Sequence, residues 1–75
     1  MTFETLTIIE SLLVAERDRR RVALMSAAKA YHEEYSKPHP DKEKVQNCAA
    51  LEQVATEARD EIIRALYDFQ KTDWR

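Results

Sequence analysis

The sequence predicts an all-α protein of two long antiparallel helices, a helical hairpin, and three observations carry that reading. The 75-residue chain contains no glycine, and its two prolines, Pro38 and Pro40, stand together near its centre. Its composition is rich in Ala, Leu, Glu, Lys and Arg, the strong helix formers. Apolar residues recur at steps of three and four on both sides of the proline pair. The tight turns of an all-β fold need positive φ, which glycine supplies and this chain lacks.

The break is Ser36-Lys37-Pro38-His39-Pro40-Asp41. Proline has no amide hydrogen and clashes with the preceding helical turn, and the residue before each proline is pushed toward extended geometry. The first helix is therefore expected from about residue 2 to about residue 35, the loop at about 36–39, and the second helix from about 40 to about 73. Pro40 is expected at the first helical position, where its missing donor costs nothing. Asp41 and Glu43 follow, where the helix dipole favours acids. Each helix would hold roughly 34 residues and span about 50 Å. The whole chain, 1–75, reads as one hairpin domain.

In the second helix Cys48, Leu51, Ala55, Ala58, Ile62, Ala65 or Leu66, and Phe69 alternate at the spacing of a coiled-coil seam, with Val45 extending it backward. The first helix offers Phe3, Leu6, Ile9 and Leu13, then Leu24, Ala27 or Ala28, Tyr31 and Tyr35. Glu16-Arg17-Asp18-Arg19-Arg20-Arg21 interrupts it. Folding the chain at residue 38 or 39 sets Arg17 opposite Asp60, Asp18 opposite Arg59 and Arg20 opposite Glu57. A polar layer in mid-bundle is expected, with the small Ala55 and Ala58 leaving room for arginine stems.

A single core in so short a chain supplies no more than roughly 3–5 kcal/mol without a staple. Cys48 is the only cysteine, so no intrachain disulfide can form, and one Cys with two His is a thin set for structural zinc. Oligomerisation remains. Apolar residues exceed what one hairpin can hide, so a homodimer paired into a four-helix bundle is expected, with docking on a different protein as the competitor. The candidate interface residues are Ile8, Leu12, Ile63, Leu66, Tyr67 and Trp74.

Charged residues make up 35% of the chain, yet the net charge is only −2, which suits a salt-laced helical surface. Arg17, Arg19, Arg20 and Arg21 could grip phosphates, so a nucleic-acid-binding hairpin dimer is the alternative function, although Glu16 and Asp18 sit inside the run. His32 and His39 are seven residues apart across Pro38, unlike the one-turn spacing of a zinc-protease helix, and read as solvated positions. Cys48 reads as a small buried hydrophobe. Trp74 is expected to pack at the bundle end against Phe3, Leu6 or Phe69, or to enter a partner. No cofactor, metal or catalytic set is expected, and the reading is a non-enzymatic protein-interaction module. The opening residues lack a basic segment and no apolar run approaches membrane-spanning length, so a cytoplasmic protein is expected.

Overall fold

The computed structural model describes residues 2–74 and consists of two helices, α1 (Phe3–Tyr35) and α2 (Lys42–Lys71), folded back on each other. Among the described residues there is no strand. The rod measures 58 × 15 × 12 Å.

Local chemistry sets the helix ends. Thr2 caps α1 by accepting a hydrogen bond from the Thr5 amide at 3.1 Å. At its far end the Ser36 amide donates to the His32 carbonyl at 3.0 Å. Ser36 stays in the right-handed region, and no described residue has positive φ. A glycine-free chain thus ends its helix without the left-handed cap, and Pro38 prevents continuation.

The second helix begins differently from the expectation. Pro40 is outside it; Asp41 is the N-cap and Lys42 the first helical residue. One Asp41 carboxylate oxygen accepts from the Glu43 amide at 2.9 Å and the Lys44 amide at 3.4 Å. An aspartate that satisfies two orphan donors outranks a proline that merely tolerates the position.

The loop is also clasped. The Glu34 side chain, 12% exposed, receives the Lys37 ammonium at 2.7 Å. One carboxylate thereby ties the last turn of α1 to the loop that follows it. Lys37 first, then the Asp41 amide, hold it below the usual carboxylate range, against the opposing effect of burial.

The contact seam on α2 is Val45, Cys48, Glu52, Ala55, Arg59, Ile62, Leu66 and Phe69, an unbroken alternation of three and four. Only Ile62 and Leu66 are fully buried, each 6% exposed; the other six are half-buried. Leu51 and Ala58 do not belong to it. Their places are taken by Glu52 and Arg59, one residue later. On α1 the half-buried series is Leu6, Ile9, Leu13, Glu16, Arg20, Leu24, Ala27, Tyr31 and Glu34. It contains two successive steps of four around Arg20, a local stutter in the heptad. Phe3 and Tyr35, expected on this stripe, are exposed.

Two buried residues make a thin core. The radius of gyration is 17.1 Å, against about 11 Å for a compact chain of this length. The accessible surface is 6112 Å², whereas a compact monomer of 8.8 kDa exposes about 4,800 Å².

Candidate interaction face

A residue directly before a seam residue is rotated about 100° from it. In two antiparallel helices those preceding residues fall on the same flank of the hairpin. On α1 they are Thr5, Ile8, Leu12, Ala15, Arg19, Ala23, Ser26, Ala30 and Glu33; on α2 they are Lys44, Asn47, Leu51, Val54, Ala58, Glu61, Ala65 and Asp68. Ile8, Leu12, Leu51 and Val54 are 61%, 63%, 63% and 63% exposed. The opposite flank, formed by the residues that follow the seam, mixes the polar Glu10, Arg17, Arg21, His32, Gln53 and Asp60 with the exposed Met25 and Tyr35 on α1 and Ile63 and Tyr67 on α2. Each flank thus exposes four large apolar side chains.

An ion chain confirms that the two stripes share a face. Arg19 donates to Glu16 Oε2 from Nε at 3.0 Å and Nη2 at 2.8 Å. Arg20 Nε donates to Glu16 Oε1 at 3.0 Å. Arg20 Nη1 then crosses to α2, donating to the Ala58 carbonyl at 2.7 Å and to Glu61 Oε2 at 3.2 Å. The chain Arg19–Glu16–Arg20–Glu61 thus runs from one stripe to the other, halfway along the rod. The two guanidiniums hold Glu16 below its ordinary value, and Glu16 raises Arg20.

This layer is the expected polar one with different partners. Arg17 pairs with its neighbour Asp18 at 3.3 Å, and Arg59 with Asp60 at 3.0 Å, so the expected pairs Arg17–Asp60 and Asp18–Arg59 are not formed. Arg20 reaches Glu61 in place of Glu57. The cause is the seam phase: Arg59 lies in the seam, and a long side chain there folds onto the adjacent carboxylate.

The six expected interface residues are not brought together. Ile8 and Leu12 lie on one flank, Ile63 and Tyr67 on the opposite one, and Leu66 is buried inside the hairpin. Trp74 closes the end of the rod. Its Nε1 donates to the Phe69 carbonyl at 3.0 Å, and its ring centroid lies 5.2 Å from that of Phe69. A recess of about 320 Å³ there is lined by Phe3, Leu6, Phe69 and Trp74, with the polar Thr7, Glu10, Ser11 and Gln70. Sequence reasoning missed Leu51 and Val54 as surface residues. Counting threes and fours from Val45 through Cys48 would have placed Glu52 in the seam and released Leu51.

In the basic run, Arg17, Arg19 and Arg20 all face carboxylates within 3.3 Å, and Arg21 forms no ion pair among the described residues. Cys48 is a half-buried thiol of the seam. Among the described residues no group of three or more His, Cys, Asp or Glu is placed to hold a metal ion. No helix of the described residues is long and apolar enough to cross a membrane.

No protein-family model matches the chain, and no curated protein and no solved structure matches it.

Proposed function

We propose that the chain is a small non-enzymatic protein-interaction module whose working form is a homodimer, two hairpins paired as a four-helix bundle that presents its outer helix faces to other proteins. The observation that supports this reading is the surface excess. The hairpin exposes about 1,300 Å² more than a compact chain of its mass. A stable protein interface takes about 800 Å² from each partner. The excess is more than one such interface removes from a partner, and the exposed Ile8, Leu12, Leu51 and Val54 on one flank, with Met25, Tyr35, Ile63 and Tyr67 on the other, are the apolar side chains association would cover.

Marginal internal burial gives the same direction. With only Ile62 and Leu66 fully buried, the hydrophobic stabilisation of a lone hairpin is small, and association supplies what a larger core would. Measuring solution mass by light scattering over a range of protein concentrations tests the reading. Twice the chain mass at every concentration supports it, and a persistent monomer overturns it.

A further inference from the structure

We infer that the recess at the end of the rod away from the loop is a binding site for a small alkylated ammonium ion, held against the rings of Phe3, Phe69 and Trp74 and by the carboxylate of Glu10. Every wall of the recess belongs to one hairpin, so the site does not depend on the dimeric reading above.

The recess is built by the turn of the chain after α2. Thr72 ends the helix, its amide and its hydroxyl donating to the Asp68 carbonyl at 3.1 and 2.7 Å. Trp74 then folds back, and its Nε1 donates to the Phe69 carbonyl at 3.0 Å. That bond holds the indole 5.2 Å from the Phe69 ring, at a tilt of 42°. Phe3 and Leu6 of α1 supply the other apolar walls of the 320 Å³ recess. Such a volume is at the small end of ligand sites and suits a ligand of few atoms. Phe3 is 83% exposed and Trp74 38%, so a bound ligand would cover ring surface that the hairpin alone leaves in water.

Polar chemistry selects the charge of the ligand. The indole has one donor, and it is committed to Phe69. The Thr7 hydroxyl is likewise committed, donating to the Phe3 carbonyl at 2.9 Å. Glu10 is the one charged residue in the lining, and among the described residues its carboxylate has neither an ion pair nor a hydrogen bond. Lys71, next to Gln70 of the rim, is held elsewhere, its Nζ 5.5 Å from the centroid of the Tyr67 ring. At this end α1 begins and α2 stops, so their dipoles oppose each other and Glu10 sets the sign of the site. A carboxylate repels an anion and contributes nothing to a neutral apolar molecule, whereas a cation engages both it and the three rings. A bare ammonium is strongly hydrated and carries donors that a largely apolar wall leaves unmet; alkyl groups on the nitrogen remove them. The ligand class is therefore a methylated or quaternary ammonium, free or on a lysine side chain of another protein.

Trp74 is the only tryptophan of the chain, so its fluorescence reports on the site. Titration with tetramethylammonium and with choline is expected to give a saturable change with a Kd of about 1–10 mM, the strength of a few exposed cation–π contacts. Ammonium chloride at the same concentrations is expected to give none. The alcohol in which a tert-butyl group replaces choline's trimethylammonium is expected to bind about tenfold more weakly or less. Glu10→Gln should weaken choline binding about fivefold. Phe3→Leu, which keeps apolar bulk without a π face, should weaken it about two- to fivefold. Circular dichroism of both variants should match wild type. A trimethyllysine peptide that binds more tightly than choline, with its unmethylated form not binding, supports the site and assigns the ammonium to a protein partner; no gain over choline supports it and assigns a free small molecule. No saturation by about 100 mM of either quaternary salt, or the uncharged analogue binding as tightly as choline, overturns the site. Unchanged choline affinity in Glu10→Gln overturns it too, leaving a plain apolar cup.

Discussion

Arg20 of α1 and Ala58 of α2 are joined by a 2.7 Å hydrogen bond from guanidinium to main-chain carbonyl, the shortest polar link between the helices. Because the same guanidinium also holds Glu16 and Glu61, one side chain sets the register of the hairpin. Exposed and half-exposed ion pairs contribute little net stability, whereas a charge left without its partner in a packed layer is costly. Arg20→Met removes the link to Ala58 and Glu61 but leaves Glu16 paired with Arg19, so it should lower the melting temperature modestly, and adding Glu16→Met should recover part of that loss. A thermal double-mutant cycle reads this. A double variant less stable than Arg20→Met alone would contradict the account of the layer.

The thin core makes its two members disproportionately important. Leu66→Ala removes a fully buried side chain, and such truncations cost about 2–5 kcal/mol. That is comparable to the roughly 3–5 kcal/mol that a core of this size supplies, so circular dichroism should show the variant substantially unfolded at 25 °C. Leu51→Ala truncates a side chain that is exposed in the hairpin, so its effect should appear in the association constant, with helix content at high protein concentration unchanged.

Stability should fall in acid through two named carboxylates. Glu16 is lowered from its ordinary 4.5, first by its hydrogen bonds to Arg19 and then to Arg20; Glu34 is lowered from 4.5, first by Lys37. A group depressed in the folded state contributes fully above its unfolded value and loses that contribution as pH falls through the folded one. The sign is thus a melting temperature that is flat above pH 4.5 and declines below it. Lys37 is raised from 10.5 by Glu34, so its contribution is complete below pH 10.5 and is lost as pH rises through the higher folded value. Glu16→Gln with Glu34→Gln should flatten the acid limb in thermal melts recorded from pH 3 to 7. An acid limb as steep as that of wild type would assign the loss to other carboxylates.

At the turn, Asp41→Ala leaves the amides of Glu43 and Lys44 without their acceptor and should destabilise the fold by about 1 kcal/mol, the usual worth of an N-cap. Pro38→Ala with Pro40→Ala should allow the two helices to fuse across the loop, raising helicity and producing larger species in size-exclusion chromatography. Unchanged helicity and size would show that the Glu34 clasp and the Asp41 cap hold the turn without the prolines.

The two helices and their break were legible because their signals are local: no glycine, two prolines, and capping residues on either side. The polar mid-layer was legible as six successive charges. The phase of the seam was not. On α2 the apolar residues are divided between two stripes one residue apart, and the seam expected from the sequence takes Leu51, Ala58 and Ala65 from the outer one. The inner stripe admits Glu52 and Arg59, which no hydrophobic count selects. Side-chain length explains how they fit: their stems lie along the seam and their charged ends reach its rim. That one-residue shift also scattered the interface set, placing Ile63 and Tyr67 on the flank away from Ile8 and Leu12. The clasp of Glu34 was hidden for the same reason, since a carboxylate at a seam position acquires its role from a loop that only folding brings to it.

The central claim is that the hairpin works as a pair. Light scattering on the full chain, across at least a hundredfold range of concentration at low and moderate salt, tests it most directly. The account predicts a mass of twice 8.8 kDa throughout. A constant mass of 8.8 kDa would contradict it and would leave Ile8, Leu12, Leu51 and Val54 to a different protein.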